Sequence, residues 1–178
     1  MDVDLQITGA TLGDVVELKL LYEQVALRSG GIIRQPSEIT DEYIANFVEK
    51  SLDSGLIFLA RNGNKIIGDI HAYQYGLNAH RHTLTDLTIA VHPDYQGNGV
   101  GKQLFEKFLQ IIREDFGHIL RVELFVRERN TKAVLFYQKL GFVEEGRLKN
   151  AIRNTDGSHE TPIAMTWFNP SYREQGVS

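Results

Sequence analysis

The spacing of apolar residues divides the chain into helices and strands. Over residues 12–27 apolar side chains recur every three or four positions, and residues 40–54 repeat this spacing behind Thr40, a favourable helix N-cap. Two further helices are predicted over 99–115 and 130–140. Apolar or alternating runs predict strands over residues 5–7, 56–61, 65–75, 84–91, 118–127, 142–152 and 159–168.

Turn-forming sequences join neighbouring strands. Asn62-Gly63 separates the second and third predicted strands, and Asn-Thr-Asp-Gly at 154–157 separates the last two. Antiparallel hairpins mixed with helices predict an α+β domain with a central mixed sheet, most of it antiparallel. Because the chain shows neither an internal repeat nor a low-complexity linker, we interpret residues 1–178 as a single domain.

Composition narrows the class of protein. A chain of 178 residues with 42% apolar and 24% charged residues is ordinary for one globular domain. The absence of Cys excludes disulfides and a cysteine nucleophile, and the six His lack the spacing of a zinc site, so no metal is predicted. A net charge of −4 without a basic run argues against a nucleic-acid partner. Since neither a signal peptide nor a membrane-spanning run is evident, we expect no membrane partner and a cytoplasmic location.

Residues 96–101, Gln-Gly-Asn-Gly-Val-Gly, lie at the predicted corner between strand 84–91 and helix 99–115. A glycine turn at a helix N-terminus presents backbone N–H groups at the positive end of the helix dipole, where phosphate oxygens bind. A Walker loop is excluded, because Gln96 stands at its first glycine and Gln103 at its Ser or Thr. The dinucleotide fingerprint also fails, since its third glycine is missing. The segment therefore predicts a phosphorylated cofactor of another kind.

A second motif follows at 130–142, Asn-Thr-Lys-Ala-Val-Leu-Phe-Tyr-Gln-Lys-Leu-Gly-Phe. It predicts a short amphipathic helix that Gly141 ends in a left-handed conformation. Together, the Gln96-x-x-Gly99-x-Gly101 loop and this motif resemble the two signatures of the GCN5-related N-acetyltransferase (GNAT) family. The resemblance extends over about residues 56–167. Arg81-His82 ahead of the Asp-x-x-Ile-x-Val strand, Gly-Arg-Leu-Lys at 146–149 and the late Asp-Gly turn look like the branch that acetylates amino acids or phosphinothricin-like amines.

The resemblance implies acetyl-CoA as co-substrate and direct transfer of its acetyl group to a primary amine, without a metal. It also implies that strands 84–91 and 118–127 run parallel and splay apart, with the pantetheine arm between them and the Ile89 N–H on the thioester carbonyl. The residues it assigns to the cofactor are Ile89, Ala90, Val91, Gln96, Gly97, Asn98, Gly99, Val100, Gly101, Lys102 and Asn130.

Two residues are candidates for the proton transfers of amide formation. Tyr137, a phenol that is protonated at neutral pH, can donate to the departing thiolate. Asp86, near the predicted splay, can accept a proton from the ammonium directly or through water, although the family often has a Glu near this point. The alternative for Asp86 is that it orients a neighbour or lies in solvent.

The amine acceptor is predicted less closely than the cofactor. The resemblance implies a site formed by residues 11–54 and the closing hairpin near 150–160, which carry Tyr22, Arg28, Arg34, Tyr43, Arg153 and His159. These side chains suit a small amine with a carboxylate, such as an amino acid. Protein N-termini or ribosomal protein tails, polyamines and aminoglycosides are alternatives, and a CoA-binding sensor without turnover is the alternative from another class. A homodimer is compatible with the resemblance, although no residue requires it.

Overall fold

The computed structural model describes residues 4–28 and 32–174, and these ranges form a seven-stranded sheet flanked by four α-helices. The elements are β1 (Leu5–Gly9), α1 (Val15–Ala26), α2 (Asp41–Ser54), β2 (Gly55–Asn62), β3 (Lys65–Tyr73), β4 (Thr83–Val91), α3 (Val100–Asp115), β5 (Arg121–Val126), α4 (Thr131–Lys139), β6 (Val143–Arg147), β7 (Ile152–Arg153), β8 (His159–Glu160) and β9 (Ile163–Phe168). Within the described ranges, no helix combines the length and apolar character that crossing a bilayer requires.

The order of the strands confirms the predicted mixed sheet. It runs β1-β2-β3-β4-β5-β9-β6, and every pair is antiparallel except β4 with β5. The parallel pair is joined only at its start, where Thr83 and Leu84 lie opposite Arg121 and Val122. Beyond Leu84 the two strands part, which is the splay that the resemblance implied.

A β-bulge in β4 marks the point at which the strands separate. His71 of β3 lies opposite Thr88, whereas Tyr73 lies opposite Thr85, so β4 contains one extra residue in this stretch. Asp86, inside the bulge, has φ of +51°, a left-handed conformation that few side chains adopt. Because a bulge bends its strand, this irregularity turns β4 away from β5.

Helices cover both faces of the sheet and enclose two apolar clusters. On one face α3 contributes Leu104, Phe105 and Phe108, and each is fully buried. On the other face α1 and α2 contribute Leu18 and Phe47, which are buried to the same degree. Burial of each such side chain is worth roughly 1.5–3 kcal/mol, so the two clusters hold the sheet between its helices.

Several strands end earlier than the apolar runs predicted. The predicted strand 142–152 stops at Arg147, because the chain turns at 148–151, where Asn150 has φ of +56°. Predicted strand 159–168 is interrupted at 161–162, where Pro162 offers no backbone N–H to a ladder. Strands 65–75 and 118–127 are likewise shorter, at 65–73 and 121–126. The periodicity located these strands, but local turns set their ends.

Candidate active site

The glycine loop lies where β4 passes into α3. Gly97 and Gly99 have φ of +81° and +79°, and a Cβ on either residue would meet nothing within 4 Å. The backbone conformation therefore favours glycine at both positions, and both positions border open space. The first helical hydrogen bond of α3 runs from Gln103 N–H to the Gly99 carbonyl (3.0 Å), so the N–H groups of 100–102 have no partner within the helix. A loop of this geometry fits the diphosphate of coenzyme A.

A groove of about 490 Å³ extends from this loop along α4. Gln96 ties the glycine loop to the end of β4, because the Gln96 Nε2 donates to the Val91 carbonyl at 3.1 Å. The positive side chains of the groove are Arg28, Lys102 and Lys132, which suit an anionic ligand. Lys132 was not among the site residues predicted from the sequence, although its position in the second motif was a signal, and Arg28 was predicted to lie at the acceptor. Asn98 does not line this groove and instead donates to the Gln96 carbonyl (3.4 Å).

The end of β4 supplies backbone groups to the gap between the parted strands. His92 N–H donates to the Ile67 carbonyl of β3 at 2.8 Å. Since N–H groups alternate along a strand, those of Ile89 and Val91 point to the opposite edge, toward β5. Ala90, which the resemblance also assigned to the cofactor, directs its backbone at β3 and buries its side chain, so it does not border the groove.

A second cavity, of about 260 Å³, opens beside the bulge of β4. It is lined by the loop before α2, by α2, and by β3, β4 and β5. Asp86 lies here, exposed, and accepts a hydrogen bond from the Tyr73 hydroxyl at 2.9 Å. Burial and the Asp86 carboxylate raise the pKa of Tyr73 above its ordinary range, so this phenol stays a donor.

The cavity carries positive as well as negative charge. The Arg34 guanidinium lies over the Tyr43 ring at 3.9 Å from its centroid. Arg127 Nη1 pairs with Oε2 of the buried Glu160 at 2.7 Å and donates to Asn154 Oδ1 at 3.0 Å. Of the residues expected around the acceptor, Arg34 and Tyr43 line this cavity, while Tyr22 is buried beneath it, and Arg153 and His159 lie outside it in the β7–β8 hairpin.

The groove and the second cavity meet at three residues, Ile89, Asn130 and Tyr137. Asn130 caps α4, because its Oδ1 accepts from Ala133 N–H at 3.1 Å. Burial raises the pKa of Tyr137 to about 12, so its phenol is protonated at neutral pH. Its hydroxyl makes no side-chain hydrogen bond within residues 4–28 and 32–174, which leaves it available to a ligand at this junction.

A long groove that begins at the glycine loop opens onto a smaller polar cavity through parted strands, and this arrangement suits a transferase with two substrates. The model of the Acetyltransferase (GNAT) family matches residues 25–142. That match spans well over half of the chain, and the chain belongs to this family. It is an acyltransferase, and the family uses acetyl-CoA.

Curated relatives and solved structures agree with this assignment. The chain is 23% identical over 140 residues to the L-amino acid N-acyltransferase MnaT of Escherichia coli, covering 78% of this chain and 80% of the relative. It is 35% identical over 86 residues to the [Ribosomal protein bS18]-alanine N-acetyltransferase of E. coli, covering 46% and 57%. A GNAT-family acetyltransferase from Streptococcus pneumoniae superposes with a TM-score of 0.83 at 27% identity, covering 93% and 99%. The structure of yncA from Salmonella typhimurium with its cofactor acetyl-CoA superposes with a TM-score of 0.82 at 15% identity, covering 98% of both chains.

Proposed function

We propose that this protein transfers the acetyl group of acetyl-CoA to the primary amine of a small, carboxylate-bearing molecule of the amino-acid class. One observation carries the proposal: the donor groove and the second cavity share Ile89, Asn130 and Tyr137 as common walls. A thioester in the groove and an amine in the cavity would meet there without a covalent enzyme intermediate.

The glycine loop supports the assignment of the donor. The open backbone at Gly97 and Gly99, the free N–H groups at the start of α3 and the cations Arg28, Lys102 and Lys132 provide both ways in which proteins bind phosphate. The N–H groups of Ile89 and Val91 can pair with the amide groups of pantetheine as an added strand would. The yncA structure contains acetyl-CoA, which agrees with this use of the fold.

The second cavity supports a small zwitterionic acceptor. Its volume of about 260 Å³ lies near the lower end for ligand sites, which favours a small molecule. Asp86 offers negative charge to an ammonium, and Arg34 offers positive charge to a carboxylate. The relative that matches the larger share of the chain is named an L-amino acid N-acyltransferase, whereas the ribosomal-protein enzyme matches less than half.

Tyr137 has the properties that the leaving group requires. When the C–S bond of the thioester breaks, the sulfur gains negative charge and must take up a proton. The phenol lies at the junction of the two cavities and retains its proton at neutral pH, because burial raises its pKa to about 12. We therefore assign Tyr137 as the general acid, and Asp86 as the carboxylate that attracts the ammonium.

A thiol-release assay tests the proposal. The protein is mixed with acetyl-CoA and, separately, with L-leucine, L-phenylalanine, L-methionine, spermidine or a tripeptide that begins with alanine, and free CoA thiol is followed. We expect release above hydrolysis with one or more amino acids and little with spermidine. Turnover confined to the tripeptide would replace the proposed acceptor with a protein N-terminus. Acetyl-CoA binding without thiol release in any mixture would refute the proposal.

A further inference from the structure

Three buried polar side chains form a cluster directly behind the acceptor cavity. The carboxylate of Asp69, on β3, is fully buried, and its Oδ2 accepts from the Tyr22 hydroxyl at 2.6 Å and pairs with His71 Nδ1 at 2.9 Å. Asp69 and His71 are two positions apart on the strand and therefore share a face. In the sequence these residues are only an Asp-x-His in a strand, and Tyr22, 47 residues earlier, joins them through the tertiary fold.

The cluster fixes the orientation of the His71 ring. A carboxylate only accepts, so Nδ1 carries the hydrogen of the 2.9 Å bond, and the remaining nitrogen, Nε2, is the one with a lone pair. Phe47 stacks on the ring with centroids 4.0 Å apart and planes 2° apart. His71 is among the residues that line the acceptor cavity, and in the described part of the chain its ring contacts Tyr22 and Asp69 through Nδ1, while Nε2 makes no hydrogen bond.

We propose that His71 Nε2, rather than Asp86, is the proton acceptor for the incoming amine, with Asp69 and Tyr22 as positioning residues. This inference rests on the proposed function. Imidazole changes its protonation near neutral pH, which makes it a better acceptor for an ammonium proton than an exposed carboxylate. Asp86 then attracts the ammonium, while His71 takes its proton.

The surroundings of His71 stabilise the charge that it would gain. The positive imidazolium would be bonded to the Asp69 carboxylate and stacked on the Phe47 ring. Asp69 Oδ1 is buried without a hydrogen-bond partner among the described residues, which is unfavourable for a carboxylate, and a positive His71 beside it would offset part of that cost. The arrangement matches the role of the aspartate in a Ser-His-Asp triad, which holds the tautomer and stabilises the imidazolium.

The atoms balance over one turnover. The ammonium gives one proton to His71 Nε2, and the neutral nitrogen then forms a bond to the thioester carbonyl carbon. The C–S bond breaks, and the sulfur takes the phenolic proton of Tyr137. The new C–N linkage loses its second surplus proton, which restores the phenol, and His71 releases its proton to solvent. One amide, one thiol and one proton result.

Other titratable groups around His71 would not produce the same pH profile. Tyr22 faces it from α1, and Tyr73 stacks beside it on β3. Tyr43 of α2 packs on Tyr22 and lines the same cavity. Burial raises the pKa of all three hydroxyls above the ordinary range, so they stay neutral between pH 5 and 8. The charged groups around the cavity are Asp69, Asp86 from β4, Arg34 from the loop before α2, and Arg127 just after β5.

His71→Asn tests the proposal, because its amide can still donate to Asp69 while no base remains at the position of Nε2. With the most active amine of the thiol-release panel, we expect kcat/KM to fall on the order of 100-fold and the loss of activity below neutral pH to disappear. The dissociation constant of acetyl-CoA should stay close to that of the wild type, and the thermal midpoint should fall only by the amount that the lost Phe47 stacking explains, so the variant is folded in the assay. A kcat/KM within threefold of wild type, with the acidic limb unchanged, would overturn the assignment.

Asp69→Asn separates a positioning role from a packing role. Loss of the carboxylate removes the partner of the imidazolium, so the acidic limb should move to lower pH as the maximal rate falls. Packing damage alone would lower the rate without moving that limb, which would count against the inference.

Nitrogen NMR of labelled histidine, with His71 assigned through the Asn variant, should find the Nδ1–H tautomer at high pH, and the Nε2–H tautomer would also overturn the inference. If wild type releases no thiol with any amine, the proposed function has failed, whereas an active wild type with an equally active His71→Asn refutes only the role of His71.

Discussion

Replacement of Gly99 by Asp and by Asn gives a direct test of where the diphosphate of the donor lies. Both side chains tolerate the left-handed conformation that φ of +79° imposes, and they have nearly the same shape. A Cβ at Gly99 meets nothing within 4 Å, so neither substitution should disturb the packing of the free protein. The two variants therefore differ mainly by one negative charge at the mouth of the loop.

The size of the expected effect follows from Coulomb's law. A carboxylate about 5 Å from one phosphate charge is repelled by roughly 1–3 kcal/mol when the effective dielectric constant lies between about 80 and 20. We therefore expect Gly99→Asp to bind acetyl-CoA about 5- to 150-fold more weakly than Gly99→Asn. The difference should shrink as salt is added, because the loop is exposed to solvent.

Isothermal titration of both variants with acetyl-CoA measures this difference, and thermal unfolding without ligand checks that the free proteins are equally stable. S-acetylpantetheine, which lacks the diphosphate, is the matched control ligand and should not distinguish the two variants. Equal affinities of Gly99→Asp and Gly99→Asn for acetyl-CoA at low salt would refute the assignment of the loop to the diphosphate. A difference that persists with S-acetylpantetheine would mean that the charge acts on some other part of the donor.

Three further predictions concern chemistry and stability. Tyr137→Phe should lower kcat about 10- to 1000-fold with little change in acetyl-CoA affinity, and unchanged turnover in a single-turnover assay would remove the phenol from the mechanism. Glu160→Gln removes the buried charge that pairs with Arg127, so it should lower the free energy of unfolding by about 3 kcal/mol and the thermal midpoint by roughly 6–12 °C. Glu144→Gln, at the exposed pair with Arg147, is the control and should change the thermal midpoint by about 2 °C or less. Burial tends to raise the pKa of Asp14, but hydrogen bonds from the Thr11 N–H and Arg61 outweigh burial and hold the pKa below 3.8. The stability that Asp14 adds over Asp14→Asn should therefore be complete above about pH 5 and decline as pH falls through that lowered pKa. A difference in the free energy of urea unfolding that does not change with pH would contradict this.

Local patterns in the sequence were sufficient to predict the elements and the donor loop. The spacing of apolar residues in α3 and α4, the cap at Thr40 and the glycine at 141 depend on interactions within a few residues, and each is found as predicted. The loop at 96–101 is equally local, because its geometry depends on backbone conformation at glycines and on the start of one helix. The two motifs in order were enough to predict the family.

The acceptor side required the tertiary structure, because its residues come from distant parts of the chain. Tyr22 contacts Asp69 and His71, and Arg127 pairs with Glu160. These partners lie 33 to 49 positions apart in the chain, and no periodic signal predicts such pairs. The bulge at Asp86 is also a tertiary outcome, since β4 must satisfy its pairing with β3 while it separates from β5. The sequence by itself determined the glycine loop that we assign to the donor, because a short segment can encode its backbone geometry. Packing of the helices against the sheet decided which side chains line the second cavity.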